Sequence, residues 1–439
     1  MARSRLVLPL LVLALAWPAI ARALEPWEAG PLSWRLSGYV KSFSSLTQGG
    51  DQYRAFDLTD RESFWDNTTR ARLRGKMMFG DVLALESHYE LVNTYGDANR
   101  LRHKAEEQYG ASPFGEQIVE ELFPDIALPR YFDLEHEIVD DESERLVHRL
   151  DRLFLRAYLG PWDFTIGRAT LTWGPGRFWN PTDYFAAFSP TEIDKEEKPG
   201  IDIAHARVAV NEYVTAEAAA APVREGAHDI DEHGSAAAGR MIVRGLQADW
   251  GLSGGWLYDR SVIGLDTDAT VGDAGVRAAL TRTTVEGVPN EAFYRAMVNA
   301  DYAFAYNWNP YLLVEYHYNG LGESDPDDYL ALSEKPEFVN AYRRGEISNL
   351  GQQYMGALFM LQPHALVTVT DTVIVNLLDA SAFNGLVVSW SALESLDVQL
   401  GAQHTLGGVP SEFGGLENPL TGEDIMVPDV YYAYLKFYY

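Results

Sequence analysis

The final eleven residues, DVYYAYLKFYY, restrict the possible folds of this chain more than any other segment. Apolar or aromatic residues recur at every second position from Tyr431 to Tyr439, which predicts a β-strand with one apolar face. A strand at the end of a chain pairs only with strands that precede it, and an open apolar edge aggregates in water. Closure of the sheet into a barrel removes that edge, and lipid accommodates the apolar face.

The first residues contain the three parts of a secretory signal peptide. Arg3 and Arg5 precede an apolar run at 6–20, and Ala21-Arg22-Ala23 follows as a cleavage site of the A-x-A kind. We therefore predict a signal peptide at 1–23, cleaved after Ala23, and a mature domain at 24–439. An uncleaved anchor is the alternative, but the run is short for a spanning helix, and no later segment reaches that length.

Composition narrows the class of protein without deciding it. The 439 residues carry a formal charge of −28, which argues against nucleic acid as a partner because phosphate binding needs clustered Lys and Arg. Cysteine is absent, so disulfides and thiol chemistry are excluded. The high content of Tyr and Gly suits an outer-membrane barrel and also a soluble periplasmic β-protein, so composition leaves both classes open.

Strand patterns recur along almost the whole chain, and no long helical periodicity interrupts them. We predict eighteen strands of about ten residues, the length that crosses a bilayer at a tilt. The segments at 262–271 and 274–283 are the weakest, so sixteen strands is the alternative. The predicted strands are 34–44, 67–79, 83–93, 148–159, 162–171, 201–210, 213–222, 239–249, 252–260, 262–271, 274–283, 293–305, 309–319, 352–362, 365–377, 382–392, 396–406 and 429–439.

The connections between these strands alternate in length. Short turns at one rim and long loops at the other are typical of a bacterial outer-membrane barrel, whereas a soluble sandwich has no reason to segregate them. An even strand number places both termini at the short-turn rim. Two connections, Ser261 and 378–381, are short where a long loop is due. Tight turns are predicted at 80–82, 160–161, 211–212, 250–251, 272–273, 306–308, 363–364 and 393–395, and long loops at 45–66, 94–147, 172–200, 223–238, 320–351 and 407–428.

Charged residues occupy only one face of most predicted strands. A charge that faces lipid near the midplane costs roughly 2–4 kcal/mol, so the charged face is predicted to line a wet lumen. Asp371 departs from the rule, because it shares a face with Val369 and Val373; a bulge or a different register would explain it. The predicted pore-lining residues are Arg70, Arg72, Arg74, Lys76, Glu86, His88, Glu90, Arg152, Arg156, Arg207, Asp301 and Glu315.

The second and third strands carry the most concentrated charge. If their turn spans three residues, Lys76 faces Glu86, Arg74 faces His88 and Arg72 faces Glu90. One interpretation is that these pairs brace the wall and neutralise one another. The other is that surplus arginines form an electropositive track, since a large pore selects by charge rings and by the shape of its constriction. The sequence leaves both open.

The segment 167–200 contains more aromatic residues than a loop exposed to water would carry. We predict that it folds inward and narrows the pore, with Trp173, Phe178 and Trp179 packed against the wall. The alternative is that these aromatic residues only fix a loop to the rim. The candidate constriction charges are Arg177, Asp183, Glu192 and Lys195.

Within this segment, residues 167–183 follow the pattern G-R-x-x-x-x-W-G-x-G-R-F-x-N-P-x-D. The pattern resembles that of porin-like outer-membrane proteins loosely related to alginate-export and substrate-specific porins. The aromatic ending resembles the last strand of such barrels, which the barrel-assembly machinery reads; Phe437 and Tyr439 are the corresponding assembly signal. The resemblance implies diffusion or export through a monomeric barrel and identifies no solute. The charged motifs of alginate export are not evident, so that substrate is not carried over.

The sequence offers little support for an enzyme. The histidines are scattered, and no G-x-S-x-G, H-E-x-x-H or P-loop pattern occurs. We therefore expect no catalytic residue, cofactor or metal. The prediction is an all-β transmembrane antiparallel up-and-down barrel in a Gram-negative outer membrane, in contact with lipid and lipopolysaccharide, which forms a channel for small or medium polar solutes. The alternatives are a non-conducting barrel that acts as an adhesin, receptor or structural protein, and a barrel hydrolase.

Overall fold

Eighteen antiparallel strands form one closed barrel in the computed structural model. The structure describes residues 26–110, 119, 122–123, 128–186, 189–193, 197–225, 229–285, 291–418 and 422–439. The predicted signal peptide and its cleavage after Ala23 lie outside these residues and stay a prediction. In chain order the barrel strands are β1 Leu32–Gln48, β2 Ser63–Phe79, β3 Leu83–Gly96, β4 Glu144–Leu159, β5 Trp162–Ala169, β6 Ile201–Ala209, β7 Val214–Glu225, β8 Asp229–Gly245, β9 Ala248–Leu257, β10 Arg260–Val271, β11 Ala274–Thr284, β12 Ala292–Ala303, β13 Tyr311–Asn319, β14 Gln353–His364, β15 Val367–Asn376, β16 Ala382–Leu393, β17 Leu396–Leu406 and β18 Asp429–Tyr438.

The last strand closes the sheet, as its sequence pattern predicted. β18 pairs with β17 on one side and with β1 on the other. At the end of the seam, Gly38 and Tyr439 exchange two backbone hydrogen bonds of 3.0 Å each. The fold class and the strand count of eighteen are therefore confirmed.

Smaller elements lie beside the barrel strands. The segment Trp27–Ala29 pairs with β1, and Glu135–Asp141 pairs with β4. The helices occupy connections at the rim opposite the chain termini: α1 is Asp51–Arg54, α2 is Asp97–Tyr109, a 3-10 helix is Pro326–Glu334, and α3 is Pro336–Arg343. In the same rim, Gly415–Glu417 and Asp424–Met426 form a separate two-stranded sheet. None of the helices in these described ranges has the length and apolarity needed to span a bilayer.

The connection lengths segregate between the rims, but three turn positions were predicted wrongly. Residues 250–251 lie inside β9, and the turn is Leu246-Gln247, with φ of 59° and 61°. Ser261 lies inside β10, and the turn is at 258–259. Residue 364 ends β14, so that turn is at 365–366. Positive φ usually requires Gly, Asn or Asp, and Leu246-Gln247 offers none, so this turn gave no local signal.

The connection predicted as a long loop at 223–238 is mostly strand. β7 continues to Glu225 and β8 begins at Asp229, so both strands extend beyond the predicted bilayer segment. This part of β8 reads DIDEHGS and is polar on both faces. A strand surrounded by water has no reason to alternate apolar and polar residues, so its sequence resembles a loop.

The two faces of the wall differ sharply. Large apolar side chains such as Leu155, Ile166 and Leu265 are exposed on the outside, whereas Lys41 and Arg72 are buried on the inside. Exposed aromatic residues mark both ends of the apolar band, as in membrane barrels. They include Phe79, Trp162, Trp250, Tyr302 and Trp390 near the short turns and Trp65, Trp256 and Tyr294 near the opposite rim.

Asp371 faces outward without a bulge at its position. The pairing of β14 with β15 is regular from Asn376 to Val369, and Asp371 lies opposite Phe359, an exposed outward residue. Asn384 on β16 donates a hydrogen bond of 2.7 Å to its carboxylate. The sequence reading of its face was therefore correct, and a single amide hydrogen bond accompanies this charge on the apolar side.

Substitution of Gly38 tests the closure of the barrel. A Cβ at this position would overlap the carbonyl oxygen of Arg72 and the ring of Tyr439, so Gly38→Val should destabilise the seam by about 1–3 kcal/mol through overpacking. The measurement is the fraction of refolded protein with heat-modifiable electrophoretic mobility. Gly75→Val is the matched control, because the nearest atom to its Cβ would lie at 3.8 Å. Equal folded fractions for the two variants would contradict this account of closure.

Candidate functional site

The charged faces of β2 and β3 meet on the inside of the wall. Their register pairs Lys76 with Glu86, Arg74 with His88 and Arg72 with Glu90. This register requires a three-residue turn at 80–82, so the predicted turn length and the predicted pairing are both confirmed. Lys76 Nζ lies 2.8 Å from Glu86 Oε1.

Arg72 is the centre of this charged face, with 1% of its surface exposed. Its guanidinium donates to Glu90 Oε1 at 2.7 Å, to Asp151 Oδ2 at 2.7 Å and lies 2.8 Å from His88 Nδ1. A buried guanidinium is tolerated only when paired, and here the acceptors lie on β3 and β4. Arg72 is therefore part of a wall network whatever else it does.

A third carboxylate reaches the same network from a loop. Glu197, in the connection 170–200, forms ion pairs with both Arg72 and Arg74. The sequence analysis missed Glu197 because 123 residues separate it from Arg74 and no local pattern links them. It also missed Asp151, which the register shift between β3 and β4 places inside beside Arg152.

Each remaining predicted lining residue outside β13 has a polar partner on its own or a neighbouring strand. These contacts fix side chains to the wall, and a role in lining a pore stays a prediction. The pairs are Arg70 with Glu90 at 3.9 Å, Arg152 with Asp151 at 2.6 Å, Arg156 with Thr165 at 3.2 Å, Arg207 with Asp163 at 3.8 Å, and Asp301 with Arg277 at 2.6 Å.

Glu315 on β13 was predicted to line the pore, but its side chain is not open to a lumen because the residue is 0% exposed. Its carboxylate accepts backbone N–H groups of Arg177 at 3.0 Å, Phe178 at 3.1 Å and Trp179 at 2.7 Å. Asn299 donates a fourth hydrogen bond at 2.8 Å. A carboxylate that accepts several N–H groups holds a loop firmly, since charge-assisted hydrogen bonds are the stronger kind. Glu315 is thus an anchor for the connection 170–200.

The aromatic residues of that connection pack on inward-facing side chains. Trp173 is buried, and its Nε1 donates to Glu217 Oε2 at 3.0 Å. Trp179 stacks on His317 with ring centroids 5.0 Å apart, and its Nε1 donates to Asn349 at 2.6 Å. Phe178, next to Trp179, is buried in the same cluster of apolar side chains.

The four candidate constriction charges have different environments. Arg177 and Glu192 are exposed, whereas Lys195 lies outside the described residues. Asp183 is buried and pairs with Lys198 at 2.7 Å, so it presents no open charge. Burial raises the pKa of Asp183 to about 6 despite the nearby ammonium group. Asp183 was therefore assigned to the constriction surface incorrectly.

A second carboxylate, which is partly buried, holds the connection 407–428. Glu412 accepts hydrogen bonds from Asn376 Nδ2 at 2.9 Å and from the backbone N–H of Leu350 at 3.2 Å, and it contacts the Tyr354 hydroxyl. Its own N–H donates to Asp379 at 2.9 Å. Burial raises the pKa of Glu412 to about 7, and the Asp379 carboxylate adds to the rise.

The described residues hold no group of three or more His, Asp or Glu side chains suited to a metal ion. The absence of a catalytic site stays a prediction. What the geometry does define is a closed antiparallel wall with an apolar exterior, aromatic belts and a charged interior, which is the architecture of a transmembrane β-barrel of the Gram-negative outer membrane.

The chain is similar in fold to solved porins of the Gram-negative outer membrane. OccAB3 of Acinetobacter baumannii is 7% identical, with a TM-score of 0.52 over 92% of this chain and 99% of that chain. OccK8 (OprE) of Pseudomonas aeruginosa is 7% identical, with a TM-score of 0.50 over 92% and 98%. OccK2 (OpdF) of the same organism, solved in complex with glucuronate, is 9% identical, with a TM-score of 0.50 over 92% and 97%. At these identities the similarity concerns the fold. No family model matches this chain, and no curated protein matches its sequence.

The Glu412 site predicts a pH-dependent loop. Because its carboxyl has a pKa of about 7 when buried and 4.5 as its ordinary value, the docked loop holds a proton that the released loop gives up. This stabilisation is fully present below pH 4.5 and is lost as the pH rises through about 7. Proteolysis of residues 407–418 should therefore accelerate between pH 5 and pH 8.

The charged and titratable groups that face Glu412 are Asp379, Tyr329, Tyr342 and Tyr354. Glu412→Gln keeps the size and loses the titration, so its cleavage rate should vary little over the same pH range. A variant that keeps the full pH dependence would assign the effect to another group.

Proposed function

We propose that this protein is an outer-membrane channel for small or medium polar solutes, with a lumen that contains arginine and a constriction formed by the connection 170–200. The observation that carries the proposal is the placement of charge. The buried, water-compatible side chains of β2, β3 and β4 lie on the face opposite the apolar exterior. A charged inner face suits an aqueous lumen through which polar molecules pass. A barrel with an interior filled by apolar side chains would not need it.

The charge balance of this face supports weak selectivity. Six cations, Arg70, Arg72, Arg74, Lys76, Arg149 and Arg152, lie among four carboxylates, Glu86, Glu90, Asp151 and Glu197. The two interpretations of these charges are therefore compatible. Most of the charged side chains pair with an opposite charge and brace the wall, and a small excess of positive charge remains for an electropositive track. A change of one charge should be sufficient to alter the preference for anions.

The contacts of the connection 170–200 support its role as a constriction. Beyond its anchors on β7 and β13, it reaches β9 through Tyr184 and Ser253 at 2.7 Å. It reaches β17 through the carbonyl of Thr191, which accepts from Gln403 at 3.1 Å. Strands on opposite parts of the wall are thus joined by one loop. Among its described residues, Arg177 and Glu192 are exposed charges along it.

A barrel blocked by its own loops is the second candidate function. The observation in its favour is that the connections 170–200, 320–352 and 407–428 all place side chains in contact with the inner wall or with one another. Such a barrel would act as an adhesin, receptor or structural protein. Conductance distinguishes the two functions directly.

Single-channel recording of the refolded mature protein in a planar bilayer, with a potassium chloride gradient, tests the proposal. We expect stable current steps and a measurable reversal potential. Glucuronate, the ligand in the OccK2 complex, is a suitable first solute for a test of block. Insertion of heat-modifiable protein without current would overturn the channel and favour the blocked barrel.

Glu197→Gln tests whether the charged face selects ions. Loss of one negative charge about 8 Å from a permeating ion is worth about 0.5 kcal/mol in water, with opposite signs for chloride and potassium, so the ratio of chloride to potassium permeability should rise by about fivefold. Glu107→Gln on α2 is the control, because it makes the same charge change at an exposed position in a rim helix. An unchanged reversal potential in Glu197→Gln would leave these residues as wall braces only.

A further inference from the structure

Polar side chains interrupt the apolar exterior of the barrel on both sides of β18. On one side, Asn384 of β16 donates the hydrogen bond of 2.7 Å to the outward carboxylate of Asp371 on β15. His404 of β17 lies opposite Asn384 and forms a contact of 3.1 Å with Asp429, the first residue of β18. His404 faces outward as well, because it lies two residues from the exposed Leu406. We call Asp371, Asn384 and His404 the β15–β17 patch.

The first two strands carry a second group of polar side chains on the outside. The amide nitrogen of Asn67 on β2 donates to the hydroxyl oxygens of Ser42 at 3.1 Å and Ser44 at 2.9 Å on β1. The amide oxygen of Asn67 accepts from the Thr69 hydroxyl at 3.0 Å. Asn67 lies two residues from the exposed Trp65, so this network faces outward. We call Ser42, Ser44 and Asn67 the β1–β2 patch.

The opposite wall of the barrel has a different exterior. Within the apolar band of β5–β9, the outward residues are apolar, among them Ile166, Ala206, Ala218, Met241 and Leu252. A wall that meets only lipid needs residues of this kind. Polar side chains in a membrane-spanning segment usually meet polar groups of a neighbouring segment. The two patches therefore indicate a contact with protein.

The depth of Asp371 excludes lipid headgroups as its further partner. Leu386, which lies opposite Asp371, is four residues from Trp390 in the aromatic belt near the short turns. Four residues of a strand tilted by about 40° cover about 10 Å of depth. The apolar band is about 25 Å tall, so Asp371 lies near its middle, out of reach of phosphates and sugars.

The curvature of the wall determines which protein contact can cover both patches. Each of eighteen strands occupies about 20° of the circumference, and the centres of the patches lie between three and four strands apart. The patches thus face directions about 70° apart, and one convex neighbour cannot cover both. In a closed ring of three copies, each copy has two neighbours in directions about 60° apart. A ring of this kind gives each patch its own neighbour.

The two patches are also complementary in their hydrogen-bonding groups. The Asp371 carboxylate has acceptor positions beyond the one that Asn384 uses. The hydroxyl oxygens of Ser42 and Ser44 accept from Asn67, and their own hydrogens can be donated to a carboxylate. The connection between β15 and β16 has only five residues, at 377–381, so this part of the wall stays low and open to a neighbour.

We propose that this protein forms a closed trimer in the membrane, in which the β15–β17 patch of one copy contacts the β1–β2 patch of the next. Asp371 then accepts hydrogen bonds from the serine hydroxyls of the neighbouring copy. The contact is heterologous and closes after three copies. The trimer differs from the monomeric barrel that the resemblance implies. It also goes beyond the proposed channel function, because a single barrel would be sufficient for a channel.

The number of chains in each particle tests the proposal directly. The chain has no cysteine, so Leu246→Cys, in an exposed turn remote from both patches, provides a single site for a fluorescent label. Refolded mature protein in dilute lipid vesicles should bleach in as many as three steps per particle. Particles that bleach in one step at every protein density, or in no more than two, would overturn the trimer.

Asp371→Leu tests the contact at the middle of the band. Loss of this carboxylate should weaken association by about tenfold, the equivalent of about one hydrogen bond in apolar surroundings, and the share of three-step particles should fall. Ile263→Leu, at an exposed outward position of β10, is the matched control and should leave the step distribution unchanged. If Asp371 faces only lipid, Asp371→Leu will also leave it unchanged.

Paired cysteines test which faces meet. Asn384→Cys combined with Ser44→Cys places two thiols three strands apart, about 14 Å within one chain, which is too far for a disulfide. Oxidation in vesicles should therefore link neighbouring copies into dimers and trimers. Either single variant should stay monomeric on a non-reducing gel, because a heterologous contact does not bring identical residues together.

Ala218→Cys combined with Leu265→Cys is the matched control on the opposite wall, also three strands apart. Equal cross-linking of the two pairs would show random collision only, and dimers of either single variant would show a two-fold contact; both results contradict the proposed ring. None of these measurements depends on conductance, so failure of the trimer and failure of the channel proposal are separate outcomes.

Discussion

The pairing of β18 with β1 is the constraint on which the rest of this structure depends. Backbone N–H and C=O groups in a bilayer find no water, so every strand needs a neighbour on both sides. Once the sheet closes, each strand has one face toward lipid and one toward the interior. Apolar side chains then occupy the outside, and the inside becomes the place where Arg72, Glu90 and Lys41 can be buried with partners.

Carboxylates attach the long connections to this wall. Glu315 projects from the wall and binds loop backbone, whereas Glu197, Glu346 and Glu412 project from loops and bind groups that belong to the wall. A carboxylate suits this task because it accepts several hydrogen bonds at once and pairs with the arginines that the inner face already carries. The acidic composition of the chain thus has a structural use at the boundary between loops and barrel.

The sequence predicted strands wherever contact with lipid requires apolar and polar residues to alternate. All eighteen barrel strands and the pairing of Arg72 with Glu90 followed from period-two patterns and one turn length. The strand ends beyond the bilayer, such as the start of β8, could not be predicted, because water on both faces removes the pattern. Partners such as Glu197 and Asp151 were also missed, since one comes from a distant loop and the other depends on a register shift.

The sequence by itself predicted a closed barrel, favoured eighteen strands over sixteen and indicated the face on which most strands carry charge, because a bilayer disfavours charge at every lipid-facing position of a strand. Only the tertiary structure decided which charged side chains remain exposed and which are buried in contacts with partners. Glu315 and Asp183 look alike in sequence to lumen carboxylates, yet both are buried by partners from other parts of the chain. Pairing inside the barrel depends on distances between strands and loops, and no local pattern encodes those distances.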